Sequence, residues 1–215
     1  QETHRIPIVR LRAATSYQVV ATVLDDDGAT TATATGEVTT GPLPPDLQRL
    51  EIDTRGDASV DLVLLDLMDN PDSFFLFVDG DGEIVWFHRN RPVRSDPPTP
   101  IRVVRQKPSH NLVYWEGGPT GRFFNCCIRE NDPLGQSVRR LVNNEVDKWV
   151  HHDLVVTSEL EVLYLAHEVV TIDDTDAGGD AETRVLIDSL RRWDQTTNET
   201  EELWNALTHL DLDNR

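Results

Sequence analysis

The sequence predicts an all-β protein, and three observations predict it. Apolar residues recur in short runs, several with two-residue alternation. Gly- and Asp-bearing turns such as Asp79-Gly80-Asp81-Gly82 separate them. Only residues 203–210 carry a weak helical pattern, which predicts a short helix or turn.

Composition bounds the answer. Of 215 residues, 38% are hydrophobic and 27% charged, and five Trp and six Phe leave enough apolar surface for a core. The net charge of −18 repels polyanions, so neither nucleic acid nor an anionic membrane surface is an expected partner. No stretch reaches the roughly 18 to 20 apolar residues that cross a bilayer. Lysine occurs only at positions 107 and 148 among many arginines, a balance that a salt-adapted or GC-rich source would produce. The opening QETHRI has neither Met nor signal peptide; a cleaved leader or an upstream truncation would each explain it.

Residues 4–40 are expected to form three strands, at 4–11, 16–24 and 29–40, with a turn at Asp25-Asp26-Asp27-Gly28. The order Leu11-x-x-x-Thr15-x-Tyr17 matches a tyrosine corner, in which a Tyr hydroxyl ties a strand to the preceding turn of a fibronectin-III-like sandwich. Such a sandwich needs about seven strands, so residues 1–41 are expected to be its C-terminal remnant, with uncovered sheet faces and marginal stability. Residues 42–50 form a Pro-rich linker, and 51–215 the second region.

In that region, residues 73–78 and 83–88 flank Asp79-Gly80-Asp81-Gly82 as a hairpin. Residues 125–138 and 190–204 echo it as strand, acidic turn, strand. Between the echoes, 101–104 pairs with 111–115 and 153–156 with 161–166. The unit recurs about every 50 to 65 residues, which suits two or three blades of a partial β-propeller better than a sandwich. Residues 93–100 and the acidic 173–180 are expected loops. The latter lacks the ordered alternation and distal Glu of a dedicated Ca²⁺ loop. Trp86, Trp115, Trp193 and Trp204 are expected to pack between blades. Adjacent Cys126 and Cys127 point to opposite faces of a strand, one buried and one half-exposed, and form no metal pattern.

The segment Lys148-Trp149-Val150-His151-His152-Asp153-Leu154 carries the most chemistry. Two histidines and a carboxylate sit where a loop enters a strand, and an imidazole there can act as base, acid, nucleophile or metal ligand. In a regular strand His151 and Asp153 share one face and His152 the other, with Asp153 able to orient a histidine through a bend. A polar cluster at a blade edge would use the same residues. Zinc needs three or four convergent ligands; His110 and His167 stand elsewhere with no linking spacing, so neither metal nor cofactor is expected.

The order of these parts resembles the bacterial arylsulfotransferase family. The similarity runs through Leu11-Arg12-Ala13-Ala14-Thr15-Ser16-Tyr17, Thr39-Thr40-Gly41-Pro42-Leu43-Pro44, Val78-Asp79-Gly80-Asp81-Gly82-Glu83-Ile84-Val85-Trp86 and His151-His152-Asp153. Ala14 stands where the family usually has Pro or Asp. The resemblance implies a periplasmic or extracellular enzyme with a six-bladed propeller and a site in its central funnel. It would move a sulfuryl group from a phenolic sulfate to a phenol acceptor through a sulfohistidine. The family's site histidine carries over best onto His152, with His151 as the close alternative and Asp153 orienting it. Arg122, between Gly121 and Phe123-Phe124, is a candidate substrate-binding residue facing the funnel. The family's nucleophilic histidine has no match here, so the chain is expected to be a fragment truncated at both ends and inactive alone. Homodimerisation of the full-length protein is left open. A non-catalytic secreted propeller used for binding or adhesion, and a hydrolase or lyase using His152 as acid or base, are the other readings.

Overall fold

The computed structural model describes residues 6–56, 59–68, 73–89, 101–117, 125–142 and 148–209. Of these, 60% are strand, in four antiparallel sheets with one short helix, and no propeller is recognisable. The chain divides into two compact units, Gln1–Leu65 with Phe75–His88, and Asp66–Phe74 with Arg89–Arg215.

In the first unit, β1 (Ser16–Leu24) and β2 (Thr30–Thr39) form a two-stranded hairpin. The expected strand at 4–11 does not form: the described residues 6–11 are irregular. Its apolar side chains Ile6, Ile8 and Val9 are exposed, so burial gives it no reason to join a ladder. Both hairpin faces are largely open, with Val20, Val23, Leu24 and Val38 exposed. The tyrosine corner is present: the Arg12 backbone N–H donates to the Tyr17 hydroxyl at 2.8 Å. Thr40 closes the same corner, its hydroxyl donating to the Arg12 carbonyl at 2.6 Å.

A three-stranded sheet follows in the order β3 (Leu62–Met68), β4 (Ser73–Asp79), β5 (Ile84–Arg89). The β4–β5 hairpin agrees with the sequence; β3 is a strand that the sequence reading missed. Phe75, Leu76, Val78, Ile84 and Val85 are buried. Arg12 donates through Nε and Nη2 to Asp79 at 2.9 and 2.7 Å and also reaches Asp81.

One turn recurs through the molecule, with the pattern Asp-x-x-Gly-x at Asp25, Asp79 and Asp132. In each, the Asp Oδ1 accepts backbone N–H groups two and four residues on, at 2.8 to 3.1 Å. The glycines Gly28, Gly82 and Gly135 take φ of +81°, +87° and +80°, the left-handed position that closes such hairpins. At Asp79 burial works against ionisation. The N–H groups of Glu83 and Asp81 and the Arg12 guanidinium outweigh it and hold the carboxyl below its ordinary pKa.

The second unit contains two up-and-down meanders. The first runs β6 (Ile101–Gln106), β7 (Leu112–Gly117), β8 (Asn125–Asn131), β9 (Ser137–Val142). The second runs β10 (Lys148–Ser158), β11 (Glu161–Ile172), β12 (Thr183–Asp194), β13 (Glu199–Asn205). Among the described residues one pairing, Val150 with Asn125, joins them. The short helix α1 (Ala206–His209) follows, close to the weak helical pattern in the sequence. The loop at 173–180 contains one 3₁₀ turn, Thr175–Ala177; the loop expected at 93–100 lies outside the described residues.

Val113, Trp115 and Ile128 of the first meander pack with Val150, Leu154, Val162, Tyr164, Ala166 and Trp193 of the second in one core. A full side chain of this size contributes about 2 to 3 kcal/mol by leaving water. Beside this core lies a buried polar knot. Lys107 Nζ donates to Glu130 Oε2 at 2.7 Å, to the Glu159 carbonyl at 2.6 Å and to Gln195 Oε1. Cys127 is buried as a free thiol that donates to Glu116 at 3.2 Å.

Candidate functional site

The site grows from alternation along three neighbouring strands. On β10, Val150 faces the apolar core and Trp149 and His151 face the other side of the sheet. His167 on β11 pairs directly with Trp149, and on β12 Asp188 pairs directly with His167. Trp149, His151, His167 and Asp188 therefore share one face.

His151 and His167 stack face to face, with ring centroids 3.4 Å apart and planes 6° from parallel. Both approach the same carboxylate oxygen: His151 Nε2 lies 3.2 Å and His167 Nδ1 2.8 Å from Asp188 Oδ1. Trp149 meets the His167 ring edge-on at 5.8 Å. The His151 side chain is only 8% exposed, against 21% for His167 and 56% for Asp188. Burial, then the neighbouring His167 and His152, push the His151 pKa down to about 4 against the opposing pull of Asp188. At neutral pH this ring is uncharged and offers a nitrogen lone pair.

A bulge separates the two adjacent histidines. His151 pairs with Leu165 and the next pair is Leu154 with Tyr164, so His152 and Asp153 are two residues with no counterpart on β11. His152 takes φ of +51° and is exposed. Its ring stands edge-on to His151 at 4.9 Å.

The structure thus sets the His151 and His152 rings against each other, whereas a regular strand would point them to opposite faces. Asp153 goes elsewhere: its Oδ1 accepts from Arg105 at 2.6 Å and from the Leu154 N–H at 2.7 Å. Asp153 lies in the bulge, and these two donors, rather than a histidine, take up that oxygen. The carboxylate that meets the imidazoles is Asp188, which sequence reasoning missed along with His167 as its neighbour. Arg122 lies outside the described residues. Chemically, the arrangement offers a buried neutral imidazole at His151 stacked on the partly buried ring of His167, one carboxylate oxygen close to both, and an exposed imidazole alongside.

The fold defines an all-β protein of several small antiparallel sheets. No family model, curated protein or solved structure matches the chain.

Proposed function

We propose that the chain is part of an enzyme that transfers a sulfuryl group from a phenolic sulfate ester to a phenolic acceptor, with His152 as the imidazole that meets the sulfuryl oxygens or the leaving phenolate. The observation that carries this is the exposure of His152 on the β10 bulge beside the His151–His167 stack. The resemblance of the His151-His152-Asp153 element singles out the same residue. The two four-stranded meanders support a reading of this region as blades of a partial propeller, the architecture that the resemblance implies.

In this reading the ester S–O bond breaks as the sulfuryl group passes to a histidine nitrogen. The departing phenolate takes a proton from the His152 imidazolium. The phenolic acceptor then attacks sulfur, loses its proton to the same imidazole and releases the histidine. The nucleophilic histidine of the family has no match here, so the 215-residue chain alone is expected to turn over no substrate. Location outside the cytoplasm, in the periplasm or beyond the cell, belongs to the same proposal.

The test uses the full product of the gene that encodes this chain, with 4-nitrophenyl sulfate and phenol. Nitrophenolate release should follow ping-pong kinetics, mass spectrometry should find a sulfohistidine, and His152→Ala should slow transfer about 10²- to 10⁴-fold. Absence of transfer from the full product, or an unaffected His152→Ala variant, would refute the assignment.

A further inference from the structure

We infer that His151, His167 and Asp188 form a binding site for a divalent first-row transition-metal ion, with His151 Nε2, His167 Nδ1 and an Asp188 carboxylate oxygen as its three protein ligands. The three donor atoms lie within 4.8 Å of one another, and among the described residues no other three His, Cys, Asp or Glu side chains converge this closely. Around a tetrahedral zinc ion with bonds of about 2.0 Å, neighbouring ligand atoms stand about 3.3 Å apart. The two nitrogen-to-carboxylate separations, 3.2 and 2.8 Å, are of that size.

A second observation points to a missing partner. The Ala166 backbone lies beside the His151 ring, but neither ring nitrogen of His151 nor Nδ1 of His167 makes a hydrogen bond of strict geometry, although all three atoms are buried. Their approach to Asp188 is close but badly aligned for N–H donation. Buried polar atoms left this way are costly, and native structures rarely keep them without a role. An ion between the three groups would satisfy a nitrogen on each ring and the carboxylate oxygen at once.

The donor chemistry selects the ion class. Two imidazoles and one carboxylate suit zinc, iron(II), cobalt or nickel, whereas calcium and magnesium prefer oxygen donors. Three protein ligands leave at least one position open, as in catalytic metal sites rather than closed structural ones. The open side of the cluster includes the exposed Asp188, and His152 lies against the His151 ring. Coordination turns the two ring planes out of parallel, because both lone pairs must then point at a common centre. Metal binding here does not depend on sulfuryl transfer at His152.

The test titrates the chelator-stripped chain with ZnCl₂ by calorimetry and with CoCl₂ by visible absorption. One equivalent should bind, and cobalt should give the intense d–d bands of a four-coordinate nitrogen and oxygen site. His167→Gln and Asp188→Asn should each weaken binding more than about 100-fold, while His152→Ala should retain it. Asp188 is exposed enough for its variant to fold, which circular dichroism and melting of the metal-free protein verify. Absence of saturable binding overturns the inference. So does binding that survives both His167→Gln and Asp188→Asn, because the ion then sits elsewhere.

Discussion

Lys107→Met removes the ammonium at the centre of the buried knot and keeps most of the side-chain stem. The wild-type ammonium is 0% exposed and so is its carboxylate partner Glu130. Its three acceptors come from β8, from the β10–β11 turn and from the β12–β13 turn, so one cation ties together three otherwise separate segments. Its removal leaves the buried Glu130 charge with the partly exposed Arg139 as its remaining counter-charge. Glu130 Oε1 keeps Asn111 at 2.7 Å and Arg139 at 3.1 Å, but Oε2 loses the 2.7 Å bond to Lys107. Breaking one side of a buried pair costs about 3 to 5 kcal/mol, a large share of the roughly 5 to 15 kcal/mol that a domain has. With a urea m-value of about 2 kcal/mol per M, the midpoint should fall by about 1.5 to 2.5 M.

The double variant Lys107→Met, Glu130→Gln separates charge from packing. It removes the buried carboxylate charge, so it should recover about 1 kcal/mol or more of the loss. Urea unfolding followed by far-ultraviolet circular dichroism measures both. A single variant within about 1 kcal/mol of the parent would refute the idea that this pair is sealed from water. A double variant no more stable than the single would refute the buried charge as the cause.

Two further outcomes follow. In metal-free protein, His151 is neutral in the fold down to pH about 4, whereas the unfolded chain takes that proton near 6.5. The contribution is therefore intact above pH 6.5 and is lost as pH falls from 6.5 to 4, by at most about 1.4 kcal/mol per pH unit. His152, His167 and Asp188 face the ring, so the readout is the difference between parent and His151→Gln in urea midpoints; identical slopes would refute it. Gly82→Ala should destabilise the β4–β5 hairpin by about 1 to 3 kcal/mol. Its φ is +87°, and a Cβ would stand 3.1 Å from the Ile52 carbonyl oxygen and 3.2 Å from a Thr54 methyl. Unchanged unfolding by Trp86 fluorescence would refute that.

The hairpins were legible because their information is local. An Asp that caps its own turn and a Gly with positive φ four positions into it mark Asp79-Gly80-Asp81-Gly82-Glu83, and the flanking apolar runs do the rest. Strand β3 was not, because Asp66 interrupts its apolar run. The reason for that Asp lies far along the chain: its carboxylate accepts the Val103 N–H at 2.6 Å. Burial raises its pKa above the ordinary value despite that bond. The run at 4–11 was the opposite error. It has strand propensity, yet ladder formation needs a partner, and none of its described residues has one. Half of the candidate site was visible for the same reason that the hairpins were. His151-His152 is a local word, but Asp188 and His167 become their neighbours only through the registers of β10–β11 and β11–β12. Nothing near residue 188 marks it.

The bulge explains how two consecutive histidines can bring their rings against each other. In an uninterrupted strand Val150, His152 and Leu154 would point together into the apolar core beside Tyr164 and Trp193, and an imidazole there would need a partner that the core does not supply. Extruding His152 and Asp153 as a pair conserves the alternation on either side. Val150 and Leu154 both remain in the core, and His151 keeps its place opposite. The insertion removes a buried polar conflict and at the same time presents an exposed imidazole next to a buried one. A two-residue interruption that leaves the core register intact is the local feature from which the proposed transfer chemistry takes its exposed imidazole, while the inferred metal site takes its geometry from the regular registers of β10, β11 and β12.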